Sequence, residues 1–158
     1  MNKITVYNKI RSALTLEHKR LITKSVAGAL KHCGADNCLV YVTVTDDAGI
    51  RKINAQHRGI DKATDCLSFP MTELKPGQPV VQDLENTDFE TGKIFLGDVI
   101  ISFERARAQG EEFGHGLVRE LCYLTVHSAL HLLGYDHVEE KAQMRAAEEE
   151  ILNAVKAD

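Results

Sequence analysis

Several common features are missing from this chain, and each absence narrows the field. No stretch is apolar enough to span a bilayer. The opening residues, MNKITVYNKIRSALTL, place charged and polar side chains where a secretory leader needs an unbroken apolar core. The expected compartment is therefore the cytoplasm. There is no cysteine framework: Cys33, Cys38, Cys66 and Cys122 are scattered, and Cys33 and Cys38 form a lone C-x4-C with no second pair. Reduced structural thiols are the expectation, with a zinc knuckle at that pair the lesser alternative. No internal repeat and no low-complexity segment is present. There is no global excess of positive charge either. The net charge is −4, and residues 136–158, with seven acids against three Lys and Arg, account for all of it. A protein coated in cations is excluded. A local basic patch is not, and RKINAQHRGIDK at 51–62 sets Arg51, Lys52, Arg58 and Lys62 against Asp61 alone. Taken in isolation, that patch reads as a solvated helix face.

The 158 residues suit one domain with a single core. Alternation and β-branched content predict strands over 4–8, 38–45, 64–70 and 93–102. Gly97 inside the last of these predicts a bulge or a close backbone approach. Apolar spacing predicts helices over 15–33, from Asp46 or Asp47 to Gly59, over 103–113 with Ser102 as cap, over 116–134 and over 138–155. Residues 71–92, with Pro76, Gly77, Pro79 and five acids, read as a long loop. The order of elements predicts an α/β (α+β) single domain. About four strands would form a small mixed sheet, packed by about five helices, with the nearly all-apolar 116–134 helix buried at the centre.

That central helix ends in TVHSALHLLGYDH. His127 and His131 are one turn apart, so their rings share a face. A buried helix does not juxtapose two imidazoles without partners for their nitrogens. Gly134 can end the helix in a left-handed turn and let His137 return to the same point. Three neutral imidazoles with an open fourth position make a catalytic type of zinc site, and the H-x3-H-x5-H spacing with its glycine is the metzincin frame. What the frame lacks is the glutamate that follows the first histidine in zinc proteases and serves as general base; Ser128 stands there. Glu120, two turns earlier and so about 10 Å away, is too remote to replace it. Asp136 reads either as a further ligand or, with Glu139, as the capping box of the last helix, from which it could also hydrogen-bond a ligand histidine.

HSALHLLGYDH closely resembles the signature of the YbeY family of bacterial endoribonucleases and ribosomal RNA maturation factors. NAQHRGIDKATDCLSFP at 54–70 and LGDVIIS at 96–102 resemble its other blocks, in order and at similar separations. The family more often has Gly at position 128 and Val at position 66, where this chain has Ser128 and Cys66. The resemblance implies one zinc ion on His127, His131 and His137, and a functional Arg58 in the cleft. It also implies single-strand-directed cleavage, maturation of the small-subunit RNA 3′ end, ribosome quality control, and the small ribosomal subunit and its assembly factors as partners.

Arg58 can grip a phosphate with two parallel hydrogen bonds, with Arg51, Lys52 and Lys62 holding flanking phosphates. The plainer alternative for Arg58 is an ion pair with Asp61 or Asp65. Two other functions fit the same residues: a non-catalytic ribosome assembly factor whose zinc only ties helix ends together, and a metallopeptidase, against which the missing glutamate counts.

Overall fold

A computed structural model describes residues 1–136 and 141–157. Five strands, β1 (Lys3–Asn8), β2 (Cys38–Thr45), β3 (Cys66–Pro70), β4 (Thr87–Asp88) and β5 (Lys93–Ser102), form one sheet. Its helices are α1 (Leu16–His32), α2 (Asp47–Arg58), α3 (Phe103–Glu112), α4 (Gly116–Leu132) and α5 (Lys141–Ala157). The spatial order β1-β2-β5-β3 is mixed: β1, β2 and β5 run parallel, and β3 runs antiparallel to β5. The fifth strand is two residues long, pairs with β5, and falls inside the segment expected to be all loop. The expected start of the last helix at 138 lies outside the described residues.

The helix ends follow the capping chemistry of the sequence. Asp46, not Asp47, caps α2 by accepting the Gly49 N–H at 2.8 Å, and Ser102 caps α3 through the Arg105 N–H. Gly59 ends α2 in the left-handed region at φ 71°. Gly97 supplies both anticipated features: the β2–β5 register slips beside it, and at φ 143° its backbone passes so near the Phe69 carbonyl that a Cβ would collide.

The sheet buries two unequal faces. The larger core packs α1, α4 and α5 over Val40, Val42, Leu96 and Val99. On the other face α2 covers Leu67 and Ile100 with Ile50. α4 is the central helix that its composition predicts: Leu121, Leu124, Val126, Leu130 and Leu132 are fully buried. It lies across β3 and β5 and against α1, α3 and α5, which holds its histidine face beside strand β3.

Candidate active site

α4 stops in a glycine turn whose details aim the second histidine. The Tyr135 N–H reaches back to the Leu130 carbonyl at 3.0 Å and the Gly134 N–H to the His131 carbonyl at 3.1 Å, with Gly134 at φ 100°. This is a Schellman ending. It turns the Tyr135 carbonyl toward the helix, where it accepts the His131 Nδ1–H at 2.8 Å. A carbonyl oxygen can only accept, so the tautomer follows: His131 carries its proton on Nδ1 and offers a lone pair at Nε2.

His127 is oriented in the same sense by α5. Its Nδ1 lies 2.8 Å from Oε2 of Glu148, a carboxylate only 6% exposed. With the carboxylate as acceptor, His127 also has its lone pair on Nε2. The two Nε2 atoms face each other at 3.1 Å, with the rings nearly perpendicular. Two lone pairs converging at that distance repel unless a cation or a proton lies between them. Zinc–imidazole bonds of about 2.0–2.1 Å in a tetrahedron separate two nitrogens by about 3.3 Å, so the pair fits such an ion. Among the described residues no third His, Cys, Asp or Glu completes a metal-holding group. His137, the third ligand expected from the sequence, lies outside those residues, as does Glu139, the capping partner of Asp136.

The pair opens onto a cleft of about 390 Å³ lined by Arg58, Asp65, Cys66, Leu67, Ser68 and Pro70. A second hollow of about 700 Å³ continues it past Pro70 and His131 to Lys75, Gln78 and the exposed Asp136. Arg58, the last residue of α2, is exposed at the cleft and makes no ion pair or hydrogen bond among the described residues. Neither carboxylate considered for it pairs with it. Asp61 takes Arg51 in a two-point contact at 2.8 and 3.1 Å. Asp65 accepts the Cys66 N–H at 2.7 Å and the Gln109 side chain at 3.3 Å. Arg51, Lys52 and Lys62 do not line the cleft; all three are exposed, and the Arg51 guanidinium is committed to Asp61.

The two departures from the family pattern meet each other. Ser128 is fully buried, and its hydroxyl turns to the Cys66 thiol, a contact that works against the rise of that thiol. Burial, reinforced by the Asp65 charge, pushes that thiol up to about 12, so it stays protonated at neutral pH. Glu120 is also absent from the cleft: it is buried and holds His115 at 2.7 Å. The helix carries no carboxylate in the place of the protease base.

Sequence reasoning missed Glu148, Tyr135 and Ser68. Glu148 had a signal, since it is an acid on the apolar stripe formed by Met144, Ala147, Ile151 and Val155. Ser68 donates its hydroxyl to the Ser128 carbonyl at 3.1 Å and pins β3 to α4. The Tyr135 contact is made by backbone, which residue identity does not report.

The Endoribonuclease YbeY family model matches residues 4–156. An Endoribonuclease YbeY of Clostridium botulinum (strain Hall) is 44% identical over 156 residues, spanning 93% of this chain and 92% of that protein. The Clostridium acetobutylicum protein of the same name is 49% identical over 121 residues, 72% of this chain and 73% of its own. The solution structure of TM1509 from Thermotoga maritima superposes with a TM-score of 0.60 at 24% identity, covering 98% of this chain and 89% of that one, a likeness of fold.

Proposed function

Because the chain belongs to the YbeY family of endoribonucleases, we propose that its cleft cuts single-stranded RNA at internal positions, with Arg58 on the phosphate and a zinc ion on the imidazole pair. The observation that carries this reading is the facing of two unprotonated Nε2 atoms, 3.1 Å apart, in a cleft that also holds Arg58. His127 and His131 would hold the zinc, with His137 as the third ligand the sequence supplies. When bound, zinc lowers the pKa of a coordinated water toward about 7 and polarises a phosphoryl oxygen.

The chain's own groups do the rest. The Glu148 carboxylate and the Tyr135 carbonyl keep both imidazoles in one tautomer, and their hydrogen bonds fix the ring planes. The Arg58 guanidinium binds two phosphate oxygens at once and offsets the charge that grows on them in the transition state. The 2′-hydroxyl of RNA is a nucleophile the substrate brings with it, so the missing protease base is no obstacle to phosphodiester cleavage, whereas it is one to peptide hydrolysis. The hollow continues on both sides of His131, which suits a strand passing through rather than an end bound in a closed pocket. The physiological substrate in this reading is the small-subunit ribosomal RNA precursor, in the cytoplasm, with the small subunit and its assembly factors as partners and ribosome quality control as a second task.

The test compares zinc-loaded protein with His131→Ala on a labelled single strand carrying the small-subunit 3′ precursor sequence. Cleavage by the first alone is expected. Equal cleavage by both would refute the site.

A further inference from the structure

β3 is an edge strand whose inner side bonds to β5 and whose outer side lines the cleft. Its pairing decides which backbone groups point outward. The Ser102 N–H bonds to the Asp65 carbonyl and the Met71 N–H to the Leu96 carbonyl, both at 2.9 Å. In an antiparallel ladder the residues that exchange hydrogen bonds alternate with those that do not. Asp65, Leu67, Phe69 and Met71 therefore face β5, and the backbone groups of Cys66, Ser68 and Pro70 face the open edge.

That edge is unusually one-sided. Pro70 has no N–H, and the Cys66 N–H is already donated to Asp65 Oδ1 at 2.7 Å. Three carbonyls remain, Cys66, Ser68 and Pro70, against a single donor, the Ser68 N–H. A peptide strand adding to a sheet edge needs donors and acceptors in alternation, and this edge refuses half of them. A ligand that offers hydroxyl donors at a regular interval suits it better. Carbonyls two residues apart recur every 6.6–6.8 Å or so along a strand, an interval an extended nucleotide repeat can follow. The edge lines the same cleft as Arg58 and the imidazole pair, where the phosphate is held in the reading above.

We propose that the β3 edge reads ribose: the Cys66, Ser68 and Pro70 carbonyls accept hydrogen bonds from 2′-hydroxyls of the single strand in the cleft. This sets the choice of RNA over DNA at the binding step, separately from any need for a 2′-hydroxyl in the chemistry. The inference rests on the nuclease reading and extends it.

The probe is chemical, so no variant has to fold. Zinc-loaded wild-type protein is mixed with labelled short single strands of one sequence, either all-ribose or all-2′-fluoro, and anisotropy is read on mixing, before turnover. The fluoro strand keeps the ribose pucker and loses only the donor. Each lost hydrogen bond weakens binding about fivefold, so two or three lost together weaken it more than tenfold. Binding of the two strands within twofold of each other, with the ribose strand still cleaved, overturns the ribose-reading edge and leaves the nuclease intact. No binding of the ribose strand overturns both. An extended peptide that competes as well as RNA would reassign the edge to a peptide strand and overturn the proposal.

Discussion

Glu148→Gln separates the role of α5 in the site from its role in the fold. The carboxylate is 6% exposed and accepts the His127 Nδ1–H at 2.8 Å. A hydrogen bond to a charged acceptor contributes about 1.5–3 kcal/mol, which corresponds to roughly 10- to 150-fold in an equilibrium constant. Changes at groups that hydrogen-bond a ligating histidine cost metal affinity about 10- to 100-fold, the same range. The glutamine is nearly isosteric, so the packing of α5 is kept, and removing a buried charge relieves desolvation. Zinc affinity should therefore fall at least tenfold while the unfolding free energy of the metal-free protein moves by less than about 1 kcal/mol. Competition against a chromophoric chelator measures the first quantity, and urea unfolding in the presence of a strong chelator measures the second. Wild-type zinc affinity in this variant would refute the claim that the Glu148 charge strengthens His127 as a ligand, since the glutamine oxygen can still accept the Nδ1–H. A large loss of metal-free stability would make the residue a structural one.

Four further outcomes are expected. Arg58→Lys should lose most cleavage activity and Arg58→Glu all of it, both with zinc content unchanged, because lysine cannot make the two-point phosphate contact; zinc loss measured in either protein would make Arg58 structural. Gly97→Ala should destabilise by about 3 kcal/mol or more in urea unfolding, since the new Cβ meets the Phe69 carbonyl at φ 143°; a change below about 1 kcal/mol would contradict the bulge geometry. Burial pushes the Cys38 thiol from an ordinary 9.0 up to about 11, so the folded state holds its proton longer than the unfolded chain. Its contribution is fully present below about pH 9 and lost as pH rises toward 11, amounting to about 1.4 kcal/mol at about pH 10; Cys38→Ala should flatten that alkaline slope in denaturant titrations. Ser128→Ala should leave cleavage rate and stability within about 0.5 kcal/mol of wild type, because its buried hydroxyl has only the Cys66 thiol, a weak hydrogen-bonding group, to lose; a large rate loss would place that hydroxyl in the chemistry.

Periodicity and glycine placement made the skeleton legible in advance. The alternation of Val40, Val42 and Val44, the Ser102 cap and the apolar α4 all act locally, and local signals survive in a linear text. The facing of His127 and His131 was legible for the same reason, as one helical turn. What escaped was long-range or carried by backbone. Glu148 reaches His127 from another helix, the Tyr135 carbonyl has no residue-type signature, and Arg51 turned to Asp61 through a pairing that composition left equally open to Arg58. The two-residue strand β4 is too short to show alternation, so Thr87 and Asp88 read as loop.

The carboxylate that orients His127 comes from α5, twenty-one positions further along the chain than the ring it serves. A ribosome releases its product from the N-terminus onward, so the histidine helix, the Arg58 helix and the β3 edge all emerge before Glu148 does. Until α5 docks, the His127 Nδ1–H lacks its carboxylate acceptor. The site of an enzyme that cuts RNA is thus completed only when one of the last segments to be made has docked.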